Sequence, residues 1–313
     1  MGKKEALELI KITDCEGLRV SDLRTIHGCS EATARWVRHL VSGGKRPTKG
    51  RTPSSTAVDI LVIPDAHSEP GEDLRRFLWL GKEARRCAKQ AAKMGRRFYL
   101  VSIGDFADVG SLSSWDKGKS SGENRRYKDD CEANWAALQL VDQGLGDMAD
   151  TVEKIITLGN HENRIARFAN DNPALPGTIE AGQDLGFLAH GWKVVPFLEP
   201  LEIAGVNFIH YMPGKTGRAL AGVHLARSLA TKMGQSVVVG HSHEYQHAVI
   251  GRPLSGMHCH GLVVGAYFEH MHEYAGITGH NTQWHGLVLL SRVEAGDFDA
   301  QPIRLETLKE RWS

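Results

Sequence analysis

Nowhere among the 313 residues do two cysteines form a C-x-x-C pair. The five present, Cys15, Cys29, Cys87, Cys131 and Cys259, are odd in number and widely spaced, which argues against a disulfide framework or a zinc ribbon. Long apolar runs are missing too. No stretch approaches a membrane span, and the opening segment meets Glu8 and Lys11 before an apolar core of signal-peptide length can build. These absences lead to the expectation of a cytoplasmic chain with no membrane partner. Net charge is nearly absent at +1, but it is unevenly spread, because residues 1–58 carry eleven Lys/Arg against six Asp/Glu. Such a basic end points to an anionic partner.

What the chain does have is an ordinary globular balance, 41% hydrophobic and 24% charged, with enough length for one large domain and a small one. Histidine is enriched at 16 residues, most of them after position 160, a bias that suits metal and proton chemistry.

Residues 1–44 read as three short helices, with a glycine turn at Gly28 and Ser30 placed to cap the last of them. The pattern resembles a helix-turn-helix whose final helix would present Arg35 and Arg38 to nucleic acid. A small packing or dimerisation bundle is the plainer alternative. Residues 45–57 have the glycine, proline and basic content of a flexible linker, and Lys45 and Arg46 could ride on phosphates. From residue 58 to 313, short apolar runs alternate with helical stretches at 73–94, 131–150 and 219–233. This predicts a layered α/β catalytic domain with its functional loops at strand ends.

Five such strand ends carry metal-ligand residue types: Asp65-Ala66-His67, Gly104-Asp105-Phe106-Ala107-Asp108, Gly159-Asn160-His161-Glu162, Phe208-Ile209-His210 and Gly240-His241-Ser242-His243. Alternation along a strand delivers Asp65 and His67 together, with Ala66 turned away. Asp105 has two oxygens able to bridge two cations, and Asn160 can add a neutral hard ligand. Any one of these histidines alone would be read as structural. Their joint occurrence is what points to metal.

In this order the motifs resemble the calcineurin-like metallophosphoesterase superfamily, over residues 58 to about 290. The resemblance implies two facing mixed β-sheets flanked by helices, with two divalent metal ions at the strand ends, manganese by family habit, though iron, zinc, nickel or magnesium would fit. It implies that Asp65, His67, Asp105 and His243 hold one ion, and Asp105, Asn160, His210 and His241 the other. Two cations in such a pair activate a water and bind the phosphoryl oxygens. By the same resemblance His161 protonates the leaving oxygen, with Asp108 orienting it.

The motifs say less about the substrate. Serine/threonine phosphoprotein phosphatases of this superfamily continue the second motif as G-D-x-V-D-R-G, whereas here Asp108 is followed by Val109 and Gly110, leaving Arg164 or Arg167 as substitutes for the phosphate-gripping arginine. The insertion at 111–130 interleaves Trp115, Arg125, Arg126 and Tyr127, a composition suited to tracking and stacking a polynucleotide. Lys215 and Arg218 follow His210 and are further candidate phosphate contacts. Together with the basic first 58 residues, these features predict a metal-dependent nuclease acting on DNA, similar to exonuclease-like phosphoesterases of bacteriophages, which would work in the bacterial host cytoplasm. A phosphomonoesterase of proteins or nucleotides, or a cyclic-nucleotide phosphodiesterase, is the alternative. Two H-x-H clusters, His258/His260 and His270/His272, are expected to pair across a hairpin rather than to bind a third metal.

Overall fold

The computed structural model describes residues 56–253, 255–269 and 281–313. The expected helix-turn-helix, most of the linker, Arg35, Arg38, Lys45, Arg46 and the His270/His272 cluster lie outside the described residues.

Among the described residues, eleven strands form two mixed sheets. The larger has the order β11-β10-β1-β2-β3-β4, built from β1 (Val58–Ile63), β2 (Arg97–Ser102), β3 (Glu153–Thr157), β4 (Trp192–Val195), β10 (Gly286–Glu294) and β11 (Asp297–Arg304). The smaller has the order β5-β6-β7-β9-β8, from β5 (Leu201–Ile203), β6 (Val206–Phe208), β7 (Ser236–Val239), β8 (Tyr245–Gly251) and β9 (His258–Val264). Strands β1 to β4 run parallel, and so do β6, β7 and β9. The loops leaving β1, β2 and β3 therefore emerge at one end of the first sheet, and those leaving β6, β7 and β9 at one end of the second.

Strand alternation explains the layering. In β1 every residue is buried, as a strand covered on both faces requires. Ile60 and Val62 point into a core shared with Phe208, Val238 and Leu262 of the other sheet, while Leu61 and Ile63 face the helices α1 (Arg75–Lys93) and α2 (Tyr127–Leu145) through Phe77, Leu80, Leu138 and Val141. On the outer side of the second sheet, Val237, Val239 and Val263 receive Leu225 and Leu229. The result is helix, sheet, sheet, helix, the two facing mixed sheets flanked by helices that were expected. Beyond Ala266, bridges from this residue to both Asp65 and His285 tie the two sheets together at the loop-bearing end.

The structure corrects some boundaries. The predicted helix at 219–233 begins only at Leu225, because Pro213, Gly214 and Gly217 make a turn pinned by the Pro213–Ala219 bridge and the chain is still irregular through His224. Three helices were not anticipated: α3 (Asn163–Asp171), the short α4 (Ala181–Asp184) and the terminal α6 (Leu305–Trp312), with α5 (Leu225–Lys232) between the last two. No helix among the described residues is long and apolar enough to cross a membrane.

Helix α6 is fastened to α1 through Glu83, whose side chain is 0% exposed and accepts hydrogen bonds from Arg86 at 2.7 Å, Arg311 at 2.8 Å and the Trp312 indole at 3.0 Å. Burial works to raise the Glu83 pKa, but the hydrogen bonds from Arg86 and Arg311 outweigh it and hold it below the usual carboxylate range. A depressed pKa stabilises the fold above the ordinary carboxylate range, and that stability is lost as pH falls through the depressed value. Glu83→Ala should destabilise the protein by about 2 kcal/mol, less than for a fully buried pair because both arginines are partly exposed. It should also weaken the dependence of thermal unfolding on acid pH, which melting curves from neutral to acid pH would measure.

Candidate metal centre

All five strand-end segments meet at one place. After β1, Asp65 and His67 are fully buried; after β2, Asp105 and Asp108; after β3, His161 and Glu162; after β6, His210; and after β7, His243. Two donor sets form: Asp65, His67 and His243, and Asp105, His210 and His241, each with ligand atoms within 4.8 Å of one another. Asp105 also clusters with His67 and His161, so it stands between the two sets. Asn160 joins the second set, its side-chain oxygen lying 2.9 Å from His210 Nε2.

Hydrogen bonds select the coordinating nitrogens. His210 Nδ1 lies 3.0 Å from the Ile103 carbonyl, to which only an N–H can bond, so Nε2 is the atom that faces Asn160 Oδ1 and, at 3.3 Å, Asp105 Oδ2. His67 Nδ1 is 3.0 Å from Asp108 Oδ1, and this carboxylate–imidazole bond likewise leaves Nε2 for a metal. His243 Nε2 is 3.2 Å from Asp65 Oδ2. His241 donates its backbone N–H to Asp65 at 3.1 Å and keeps its ring beside His210 and Tyr211.

Charge shows what this set of groups lacks. Burial alone would push the His210 pKa down, yet Asp105 outweighs it and lifts it to about 9. Burial likewise opposes the charge on Asp105, and the neighbouring His161 and His210 still hold that carboxyl well below its ordinary range. Imidazolium protons thus neutralise buried carboxylates at a spot where Asp105 Oδ2, Asn160 Oδ1 and His210 Nε2 converge. A divalent cation replaces such a proton with the same ligands, so the donor set fits metal. His67, by contrast, is pushed down to about 4, first by burial and then by His161, which keeps it neutral and able to coordinate.

The backbone is bent to reach this geometry. His67, Asp105, His241 and His243 all have positive φ, between 45° and 68°, a conformation that costs non-glycine residues energy and concentrates at functional sites. Two glycines make room for the carboxylates: a Cβ on Gly159 would sit 2.0 Å from Asp105 Oδ1, and one on Gly240 2.5 Å from Asp65 Oδ1.

Two positioning residues escaped the sequence reading. Glu162, with no exposure, accepts the backbone N–H groups of Asp105 and Ala107 at 2.9 Å and Gly159 at 2.8 Å, locking the second and third loops together. Its place in Gly159-Asn160-His161-Glu162 was the available signal. Arg76 on α1 is 2% exposed and donates to the carbonyls of Ala66 at 3.0 Å, His67 at 3.1 Å and Tyr267 at 3.1 Å. A helix arginine carries no such message in sequence.

Next to the candidate metal ligands, His161 Nδ1 lies 3.0 Å from Asp108 Oδ1 and 2.8 Å from the Asp108 carbonyl, while Arg164 donates to the same carbonyl at 2.8 Å and approaches His161 Nε2 at 3.0 Å. Burial lowers the His161 pKa, but Asp105 and Asp108 outweigh it and raise it overall.

Other expected contacts are placed differently. Tyr127 is no stacking platform, since its hydroxyl donates to Asp184 at 2.6 Å and its ring packs on the core. Arg125 is exposed but engaged by its own segment, reaching Asp116 and the Gly110 carbonyl, both at 3.5 Å. Arg126, Lys215 and Arg218 are exposed, and Trp115 is 71% exposed with Lys119 above its ring at 4.2 Å. His260 pairs with His247 across the β8–β9 hairpin at 3.1 Å and with Asp297 at 2.6 Å, the cross-strand pairing expected for that cluster.

No family model matches the chain, and no curated protein matches it. Solved structures do, among them a double mutant and a single mutant of Vps29 from Entamoeba histolytica, each 11% identical, each covering 79% of this chain and 99% of its own, with TM-scores of 0.34 and 0.32. Likeness this slight says nothing about activity.

Gly159→Ala should displace Asp105 and cost about 2 kcal/mol or more, because the added methyl meets a carboxylate and backbone atoms that cannot both withdraw. Thermal unfolding and manganese titration calorimetry would both register it. In the unsubstituted protein, metal binding must expel the His210 proton. Apparent affinity should therefore rise by about tenfold per pH unit between pH 7 and the His210 pKa and level off above it. Calorimetry in buffers of different ionisation enthalpy measures the proton released, and a pH-independent affinity would contradict the arrangement.

Proposed function

We propose that the chain is a phosphodiester hydrolase that works with two divalent cations, manganese foremost, and acts on nucleic acid, DNA in the first instance. The observation that carries this reading is Asp105 standing in two donor groups, one with His67 and His161 and one with His210 and His241, with His210 Nε2 facing both Asp105 and Asn160. In it Asp65, His67, Asp105 and His243 hold one cation, and Asp105, Asn160, His210 and His241 the other. The bound cations supply a water of lowered pKa and neutralise phosphoryl charge.

The protein's own residues do the rest. Glu162 and Arg76 keep the loops from relaxing as phosphate charge enters. His161, held through Nδ1 by Asp108, presents Nε2 as the general acid for the leaving oxygen. The two observations at that imidazole conflict when taken as one state: a raised pKa favours a protonated ring, whereas an arginine N–H at Nε2 requires a lone pair. They agree once substrate is bound, because a phosphoryl oxygen draws the Arg164 guanidinium away and leaves Nε2 to take and deliver a proton. Arg164 thereby contributes the phosphate contact that the second motif lacks. Support for nucleic acid comes from charge: the excess of Lys/Arg in residues 1–58 and the exposed cations Arg126, Lys215 and Arg218.

His161→Asn should leave manganese binding intact and lower turnover by about two orders of magnitude. The informative panel is bis-p-nitrophenyl phosphate, p-nitrophenyl phosphate, a phosphopeptide and labelled single- and double-stranded DNA. Hydrolysis of the diester and DNA without the monoesters is expected. Turnover confined to monoesters would replace this reading with a phosphatase, and full activity in metal-loaded His161→Asn would remove the general-acid assignment.

A further inference from the structure

A cavity of ≈ 590 Å³ lies between the 110–123 segment and α3, a volume in the range that encloses small organic ligands, roughly 300–1,000 Å³. Its position ties it to the chemistry. Arg164 lines it, and the same guanidinium touches His161 Nε2 and the Asp108 carbonyl. Arg164 thus joins the cavity to the imidazole assigned above as the proton donor to the leaving oxygen.

The lining also narrows the occupant. Arg164, Arg167, Phe168 and Asp171 recur at the i, i+3, i+4, i+7 spacing that puts them on one face of α3, and all four line the cavity. Phe168 is 42% exposed there, an aromatic face left open to solvent. A flat ring is its natural partner. Around it stand charges of both signs, Lys117, Lys119 and Arg167 with Asp116, Glu123 and Asp171, together with serine hydroxyls. A bare polyphosphate, which has no donors, would leave those carboxylates unmet. A nucleoside suits them, because its hydroxyls and ring N–H groups need acceptors, its carbonyls need donors, and its base needs a stacking face.

We infer that this cavity holds the nucleoside on the leaving side of the scissile phosphate, so that hydrolysis breaks the bond between phosphorus and that nucleoside's oxygen. The inference rests on the diester-hydrolase reading above and names its leaving group. In the step, water adds its oxygen to phosphorus, the P–O bond to the nucleoside breaks with its electron pair going to the departing oxygen, and that oxygen takes a proton. The products are a nucleoside alcohol and a phosphate monoester.

The methyl esters of thymidine monophosphate test this directly, because either the nucleoside or methanol can leave and the two alkoxides are similar in intrinsic leaving ability. The manganese-loaded full-length protein should release thymidine and methyl phosphate, resolved by chromatography. Phe168→Ala should lower kcat/KM for that route by about tenfold, the loss expected of one base-stacking contact. It should also shift products toward thymidine monophosphate and methanol, while Phe168→Tyr, which keeps a ring, should restore the original ratio. Release of methanol by the unsubstituted protein, or a product ratio indifferent to Phe168→Ala, would overturn the inference. So would turnover of bis-p-nitrophenyl phosphate with none of the thymidine esters, an outcome that leaves the hydrolase reading standing. Turnover of no diester at all would instead remove that reading, and the leaving-group assignment with it.

Discussion

A carboxylate taken out of water must be met by positive charge or by hydrogen-bond donors, and at Asp105 that requirement organises the loop-bearing end of the molecule. Asp105 is 2% exposed, and Asp65, Asp108 and Glu162 are buried around it. Backbone N–H groups satisfy part of the need: His161 donates to Asp105, His241 to Asp65, and three amides to Glu162. Imidazoles supply the remainder, since no lysine makes an ion pair with these four carboxylates among the described residues. A cluster that assembles acids and bases this tightly is poised to exchange protons for cations, which is why its stability and its chemistry cannot be separated.

Bringing the groups together demands backbone that ordinary residues avoid. Four of the donors sit in the left-handed region, and the loops after β1, β2 and β3 are braced by neighbours that are not themselves in the donor sets. Arg76 reaches from α1 to hold carbonyls of the first loop, and Glu162 clamps the second loop to the third. Gly159 and Gly240 give up side chains so that carboxylate oxygens can take their space. The local energy lost at His67 or His243 is offset by the two-sided burial of the strands that end there, a division in which the core stabilises and the loops are strained.

The insertion after the second loop is only partly arranged as its composition suggested, with Trp115 and Arg126 exposed. Its aromatic and basic residues do not form a continuous track: Tyr127 is tied to Asp184 and Arg125 folds onto its own segment. The open face belongs instead to α3, where Arg164 connects a cavity to His161. Under the proposed reading one arginine joins reaction to recognition, beside the exposed cations Arg126, Lys215 and Arg218.

Some of this was legible before any coordinate. Short apolar runs between helical stretches gave the α/β layers, and glycine-flanked Asp, Asn and His at their ends named the donors, because strands deliver neighbouring side chains at fixed alternation. Helix boundaries near Gly214 and Gly217, the roles of Arg76 and Glu162, the pairing of Arg125 with Asp116 and the contact between Arg164 and His161 were not legible. Residue type and spacing alone determine what a segment can donate and which face it offers. Only the packing of two sheets, by bringing loops more than a hundred residues apart to within hydrogen-bond distance, decides which donor meets which acceptor, because burial makes each unmet charge costly enough to select its partner.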